Sequence, residues 1–218
     1  MSEICKELHL IFNEMKRFRF PFNENKIPLN GIYVLFENGE ETHGGNRIVR
    51  VGTHTGVNQL RSRIRQHFVN ENKDRSIFRK NIGRALLSKN KDLFLEDWEK
   101  DLTTRKAKEK FSETIDFEKR KAVEKLVTDC LRKNFSFVVF GVGDKDKRLE
   151  FESKIISTIS LCDECRASKN WLGNFSPKTK IRESGLWLVN ELYKDGFDED
   201  GFREFVKELK LSVSDGSL

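Results

Sequence analysis

Two side chains on one basic helix have the types and spacing needed to act together on a phosphate. Arg63 and His67 lie four residues apart in a predicted helix at 57–68, and residues four apart share one side of an α-helix. A guanidinium matches phosphate oxygens with a fork of N–H donors, and an imidazole can hold or transfer a proton near neutral pH. The pair therefore predicts chemistry on a phosphodiester. The alternative is a surface helix whose arginines contact only a nucleic-acid backbone or solvent.

A second candidate is a carboxylate among apolar side chains. When Ile155 is placed at the centre of the buried face of a predicted helix at 146–161, Glu152 falls about 60° away, within the apolar arc. Glutamate is rarely buried unless it is paired or bound to a cation. The sequence favours a ligand for a hard cation such as magnesium. An internal salt bridge to Arg63 is the alternative.

The third candidate, Tyr33, lies between two apolar residues of a predicted strand at 31–37. Strand tyrosines are usually packing residues, and packing is the alternative here. A free phenol is protonated at neutral pH, so a role as a base requires neighbouring positive charge. The arginines of the basic helix would supply that charge.

The elements that must position these residues form an α+β pattern. We predict strands at 31–37, 47–52 and 135–140, helices at 2–17, 57–68, 75–88, 116–133, 146–161, 180–194 and 199–211, and an exposed, helical, charged segment at 89–115. The first two strands are expected to form an antiparallel hairpin. The expected fold is a small three-stranded antiparallel or mixed sheet flanked by helices, with helical elaborations.

Positive charge is concentrated in one part of the chain. The net charge is +6, yet residues 47–91 hold 12 Lys/Arg against 2 acids, which is +10 and leaves −4 for the rest. This pattern favours binding of a polyanion; a solvated helical face is the alternative. The predicted contacts with double-stranded DNA are six basic residues of this segment, namely Arg61, Arg65, Arg75, Arg79, Lys80 and Arg84.

Cysteine usage and hydropathy indicate a cytoplasmic protein without a membrane partner. Cys162 and Cys165 form a lone CxxC without a second pair or an adjacent His, so we interpret all four cysteines as free thiols rather than half of a zinc site. No apolar run reaches the roughly 18 residues of a membrane span. The N-terminus has the pattern of an amphipathic helix instead of a signal peptide.

The ordered set of these residues resembles the GIY-YIG nuclease family. Gly31-Ile32-Tyr33 matches the first half of the family name, and Arg50-Val51-Gly52 stands where Tyr-Ile-Gly is expected. The family's arginine and histidine correspond to Arg63 and His67, and its metal-binding glutamate corresponds to Glu152. Asn170 or Asn174 would be the asparagine that often follows. The match covers about 30–70 and 134–175 of a single domain over 1–218, with a helical insertion at about 75–133 and C-terminal helices at about 180–211.

The resemblance implies a Mg²⁺-dependent endonuclease, with one divalent ion for which Mn²⁺ can substitute. Tyr33 would activate water, Arg63 would stabilise the transition state, Glu152 would bind the metal, and His67 would orient Tyr33 or relay a proton to it. Arg50 in place of the second tyrosine resembles the restriction-enzyme branch, which implies a site-specific enzyme that is expected to be a homodimer. The alternatives are a structure-selective or mobile-element nuclease and a non-catalytic DNA-binding module.

Overall fold

The computed structural model describes residues 2–214 and places a three-stranded sheet between two layers of helices. The strands are β1 (Gly31–Thr42), β2 (Gly45–Gly52) and β3 (Phe135–Gly141). The helices are α1 (Ser2–Glu14), α2 (Leu60–Phe68), α3 (Ile77–Lys89), α4 (Leu95–Glu99), α5 (Arg105–Phe111), α6 (Phe117–Asn134), α7 (Lys145–Ser160), α8 (Thr179–Ser184) and α9 (Glu199–Ser214). The α+β fold predicted from the sequence is confirmed.

The sheet has the order β2-β1-β3, and both pairings are antiparallel. Tyr33 in the central strand faces Gly52 in β2 and Val139 in β3. Residues 31–37 are all buried, because helices cover both faces of the sheet. This double coverage explains why the central strand is a continuous apolar run and does not alternate with polar residues.

The two faces of β1 belong to different hydrophobic cores. Ile32 and Val34 pack with α1, α7 and α9 on what we call the α7 face. Tyr33 and Leu35 pack with α2, α3 and α6 on the opposite face, the Tyr33 face. Because successive strand residues point to opposite sides, this alternation places the tyrosine beside the basic helix α2.

The helix predicted at 180–194 is wrong beyond residue 184. Helix α8 ends at Gly185, whose φ of 69° is a left-handed cap that ends many helices. The chain then runs along the edge of the sheet, where the Trp187 N–H donates to the Val49 carbonyl at 2.7 Å. This irregular segment covers the exposed side of β2.

The segment 89–115 was expected to be helical and exposed, and only part of this expectation holds. It contains the two short helices α4 and α5, but Trp98 of α4 is fully buried. The Trp98 ring lies over Gly83 of α3, where an added Cβ would come within 2.4 Å of it. The segment therefore packs into the core through this tryptophan. Within residues 2–214, every helix is too short or too polar to cross a membrane.

Candidate active site

Tyr33, His67 and Ser76 form a buried hydrogen-bonded chain on the Tyr33 face. The Tyr33 hydroxyl lies 2.9 Å from His67 Nε2, and His67 Nδ1 lies 2.8 Å from Ser76 Oγ. Ser76 caps α3, and its hydroxyl accepts the Arg79 N–H at 3.2 Å. The helix cap thus holds the Ser76 hydroxyl in place, and this hydroxyl orients the His67 ring. The His67 ring in turn orients the Tyr33 hydroxyl.

Glycines at two positions allow the close approaches that this arrangement needs. A Cβ on Gly52 would lie 2.1 Å from the Tyr33 hydroxyl oxygen, so only glycine leaves room for the phenol. A Cβ on Gly31 would lie 2.0 Å from the Phe140 carbonyl oxygen of β3. These two residues are the first glycine of the Gly-Ile-Tyr motif and the last glycine of Arg-Val-Gly.

His67 is held in its neutral form. Complete burial lowers its pKa well below the ordinary value, and the positive charges of Arg50, Arg63 and Arg79 lower it further. A neutral imidazole has one N–H and one acceptor nitrogen. The ring can therefore orient the Tyr33 hydroxyl, but it is a poor final acceptor for a proton.

A cavity of about 480 Å³ opens where the two faces meet at the β2 edge of the sheet. Arg50, Arg63 and Glu152 all line it. Its other lining residues are Val51, Ile77, Asn81, Leu149, Ile156, Leu188, Val189, Asn190 and Glu191. The cavity thus brings together Arg50, Arg63 and Glu152 from the three elements β2, α2 and α7. Tyr33 and His67 are fully buried and are not among its lining residues.

Arg50 lies on the same face of the sheet as Tyr33. It pairs with Leu35, two residues along β1 from the tyrosine. Its guanidinium donates to the Trp187 carbonyl and lies 5.1 Å from the centre of the Phe78 ring. Its Nε has no hydrogen-bond partner in the described part of the chain. The arginine that replaces the family's second tyrosine therefore brings a positive charge to the cavity wall.

Glu152 reaches the cavity from α7, on the other face of the sheet. One carboxylate oxygen accepts the Thr53 N–H at 3.1 Å. Burial raises the pKa of Glu152, while Arg50, the Thr53 N–H and Arg63 oppose that rise. No ion pair joins Glu152 to a basic side chain within residues 2–212, so the internal salt bridge to Arg63 is not formed.

Several polar residues of the site were not found from the sequence. Asn81 and Asn190 line the cavity, and Asn81 Nδ2 has no hydrogen-bond partner in the described part of the chain. The sequence does carry a signal for Ser76, because serine before an apolar helix is a common N-cap. The lone asparagines carry no comparable signal.

A comparison with known protein families shows the class to which the chain belongs. The family model described as GIY-YIG domain matches residues 2–214. The chain belongs to the GIY-YIG family. It is therefore a nuclease, a hydrolase that acts on DNA within a family that typically uses divalent metals. Neither the curated proteins nor the solved structures gave a match.

Asn170 does not line the cavity of this GIY-YIG protein. It is exposed in the loop after α7 and is absent from the cavity wall. Asn174 is likewise absent from the cavity wall, and its side-chain amide donates to the Ser168 and Lys169 carbonyls. The structure therefore does not bring Asn170 to the cavity as predicted, and the asparagine that lines the GIY-YIG cavity after α7 is Asn190.

Two predicted DNA contacts are structural instead. Arg79 is fully buried and pairs with Glu124 of α6 at 2.7 Å. Arg84 is buried and pairs with Glu99. Both arginines of the GIY-YIG protein are buried and paired with an acid, which argues against the prediction that they contact DNA. The periodicity of a basic helix cannot distinguish an arginine that faces solvent from one that faces a distant acid.

The other four residues that were predicted to contact DNA differ in whether their side chains already have hydrogen-bond or ion-pair partners. Arg61 donates to the Ile27 and Asn25 carbonyls, Arg65 pairs with Glu24 at 3.2 Å, and Lys80 lies 3.7 Å from Glu99. Arg75 is exposed and has no acidic partner within residues 2–212. The excess of +10 counted along 47–91 is thus reduced by acids from outside that segment.

Proposed function

We propose that this GIY-YIG protein is a Mg²⁺-dependent, site-specific DNA endonuclease that binds the scissile phosphodiester in the 480 Å³ cavity. The observation that supports this best is the joint presence of Arg50, Arg63 and Glu152 on one cavity wall. Arg50 Nε and Asn81 Nδ2, which belong to two of the lining residues, are buried and have no partner within the described residues. A ligand that carries acceptor oxygens would satisfy them once a side-chain movement exposes them.

Arg63 is proposed to stabilise the charge that develops on the phosphate. Its guanidinium donates to Gln66 Oε1 at 3.1 Å and to the Arg75 carbonyl at 3.3 Å. Both partners are neutral, so the positive charge is not compensated by a bound carboxylate. A phosphate can exchange with these partners and gain two charge-assisted hydrogen bonds.

Glu152 is proposed to hold the divalent cation. The fit rests on the donor set: the carboxylate lines the cavity, lacks a cationic partner in the described part of the chain, and shares the wall with Asn190 and Glu191. The Glu191 carboxylate is itself paired with Lys194 at 2.8 Å. Oxygen ligands of this kind suit a hard cation. When bound, the cation supplies positive charge that neutralises the leaving oxygen.

Tyr33 is proposed to position the attacking water. If its hydroxyl donates to the neutral His67 Nε2, then the lone pairs of the phenol oxygen face outward as acceptors for a water O–H. Because the ring is fully buried behind Gly52, water must reach it through an opening that DNA binding creates. His67 then acts through Tyr33, as an orienting group.

Site specificity is proposed from Arg50, since the resemblance links a basic residue at this position with restriction enzymes. A palindromic site calls for two-fold symmetry, so such an enzyme would act as a homodimer. Light scattering of the protein on its cognate DNA measures this directly. A monomer that makes both cuts would contradict the proposed symmetry.

The test of the proposed function is digestion of a long, fully sequenced DNA with Mg²⁺, beside a chelated control. Discrete bands support the site-specific enzyme, and mapped ends give its site. A smear would favour the structure-selective nuclease. Intact DNA with a salt-sensitive gel shift would favour the binding module.

A matched pair of variants tests the metal ligand within this assay. Glu152→Gln keeps the shape of the side chain and removes its charge, so cleavage should be lost while DNA binding persists. Glu150→Gln makes the same change two residues away, at an exposed position of α7, and should cut normally. Equal activity of the two variants would refute the assignment of Glu152.

A further inference from the structure

A cluster of sulfur and imidazole groups lies at the far end of α7 from the cavity. It joins Cys5 of α1, His43 of the turn between β1 and β2, and Cys162 and Cys165 of the turn after α7. All three cysteines are buried, and the His43 side chain is fully buried. The last turn of α7 lies about 12 Å along the helix from Glu152. The cluster is therefore separate from the proposed catalytic site.

Three of the separations among these ligand atoms are close to those of a tetrahedral metal site. Cys5 Sγ lies 3.3 Å from Cys165 Sγ, and His43 Nε2 lies 3.4 Å from Cys165 Sγ and 3.5 Å from Cys162 Sγ. Zinc bonds of about 2.3 Å to sulfur and about 2.0 Å to nitrogen place neighbouring ligands roughly 3.5 to 3.8 Å apart. The observed separations are close to this range without any rearrangement of the backbone.

His9 competes with Cys162 for the fourth position. The ligand atoms of Cys5, His9, His43 and Cys165 all lie within 4.8 Å of one another. However, His9 Nε2 accepts the Ile48 N–H at 3.2 Å, so the neutral ring carries its proton on Nδ1 and donates it to the Cys5 carbonyl at 2.9 Å. Metal binding at Nδ1 would move that proton to Nε2. The Nε2–H donor would then face the Ile48 N–H donor, and their hydrogen bond would be lost. The hydrogen bonds thus disfavour His9 as a ligand, and they favour Cys162, whose Sγ lies 3.5 Å from His43 Nε2.

We propose that Cys5, His43, Cys162 and Cys165 form a structural Zn²⁺ site. Three thiolates and one imidazole are a common closed set for structural zinc. The Cys165 N–H donates to the Cys162 carbonyl at 3.3 Å, which gives the CxxC the tight turn that directs both sulfurs to one ion.

The surroundings of His43 agree with this assignment. Its Nδ1 is buried without a hydrogen-bond partner in the described part of the chain, and it lies 3.5 Å from a Glu164 carboxylate oxygen. Histidine ligands of zinc usually donate their second N–H to a carboxylate or carbonyl. Glu164 also accepts the Thr42 hydroxyl through its carbonyl at 2.9 Å. The turn and the hairpin are thus already joined beside the proposed ion.

The consequence is a crosslink between three parts of the chain that are far apart in sequence. The ion would tie the N-terminal helix and the β-hairpin to the end of α7. Because a structural zinc contributes its binding energy to folding, its removal should destabilise the protein. The assignment does not depend on the nuclease proposal, since none of its ligands lines the cavity.

The first test is the metal content of the untagged, purified protein, measured by mass spectrometry of the elements. One zinc ion per chain is expected. Replacement by Co²⁺ should give sulfur-to-cobalt charge-transfer bands together with the intense visible bands of tetrahedral cobalt. Protein without metal that also fails to bind added Zn²⁺ or Co²⁺ would overturn the proposal, and so would a Cys5–Cys165 disulfide.

Variants then decide the ligand set. Cys162→Ser should lose the zinc, whereas His9→Gln and Cys130→Ser should keep it, because Cys130 lies outside the cluster. Retention of zinc by Cys162→Ser together with its loss from His9→Gln would overturn the assignment of Cys162.

Thiol titration of the unmodified protein remains decisive if a variant does not fold. A zinc chelator should expose three thiols to a disulfide reagent. Reactivity that the chelator leaves unchanged would refute the site.

Discussion

Gly52→Ala tests whether the position of Tyr33 matters for catalysis. The added Cβ would lie 2.1 Å from the hydroxyl oxygen and 2.3 Å from the ring carbon that bears it. Such contacts force the phenol to move, and overpacking of a core typically costs about 1 to 3 kcal/mol. For a protein of this size each kcal/mol lowers Tm by about 2 to 4 °C. The hydroxyl should also lose its 2.9 Å contact with His67.

The assays are thermal unfolding and cleavage of a DNA substrate, with affinity measured separately. Tm should fall by about 2 to 12 °C, and cleavage should fall far more than DNA binding, since Gly52 is not among the lining residues of the cavity. Gly143→Ala is the control, because nothing lies within 4 Å of its added Cβ. It should match the unmodified enzyme in both assays.

A double-mutant cycle separates the proposed cause from a general defect. Tyr33→Leu removes the ring atoms that the new methyl group meets, so Gly52→Ala should cost much less stability in that background than alone. Equal costs in both backgrounds would show that the clash with Tyr33 is not the cause. Normal cleavage by Gly52→Ala itself would refute the link between the tyrosine position and activity.

Three further predictions concern charge. Burial raises the pKa of Glu37 to about 7 from an ordinary 4.5, so the free energy of unfolding should fall by about 3 kcal/mol as the pH rises between these values. Glu37→Gln should flatten the dependence of Tm on pH, and an unchanged slope would contradict the pKa shift. Arg79→Ala should destabilise by about 3 to 5 kcal/mol in urea unfolding, because Glu124 would remain buried and unpaired. Arg75→Ala should leave stability unchanged and reduce the salt slope of DNA binding by about 0.9; a stability loss like that of Arg79→Ala would contradict its exposed position.

The sign of the Glu37 prediction follows from which state holds the proton. Below pH 4.5 the carboxyl is protonated in both states, so the full stability is present. As the pH rises, the unfolded chain ionises first, and the folded chain follows only near pH 7. The Nε1–H groups of Trp171 and Trp187 both donate to Glu37 at 2.8 Å. Tryptophan fluorescence therefore reports this titration directly.

The strands and most of the long helices could be predicted because their signals are local. The apolar run at 31–36, the Phe-Ser-Phe-Val-Val-Phe run of β3 and the periodicity of α7 need no knowledge of the rest of the chain. The order of Tyr33, Arg63 and Glu152 along the chain was likewise sufficient to suggest the family. Local patterns did not predict where a helix ends when a single residue determines its end. Gly185 ends α8 within the helix that was predicted at 180–194.

Pairings between distant residues could not be predicted in the same way. Arg79 and Glu124 are 45 residues apart, and the sequence offers many other acids as partners. The CxxC had no nearby histidine, yet the fold brings Cys5 and His43 to it across more than 100 residues. A single sequence does not show which distant residues come into contact in the folded chain. All four cysteines are free of disulfides. The zinc site proposed for three of them depends on the packing of α1 against α7.

The end of β2 explains how one site can draw on both layers of the fold. Gly52 contacts Tyr33 on one face of the sheet, and the next residue, Thr53, donates its N–H to Glu152 from the other layer. Two consecutive residues thus connect the buried hydrogen-bonded chain to the cavity carboxylate. Any shift of β2 along β1 would break both contacts at once, because a change of register by one residue exchanges the two faces. The geometry of the candidate active site therefore depends on the pairing of Tyr33 with Gly52.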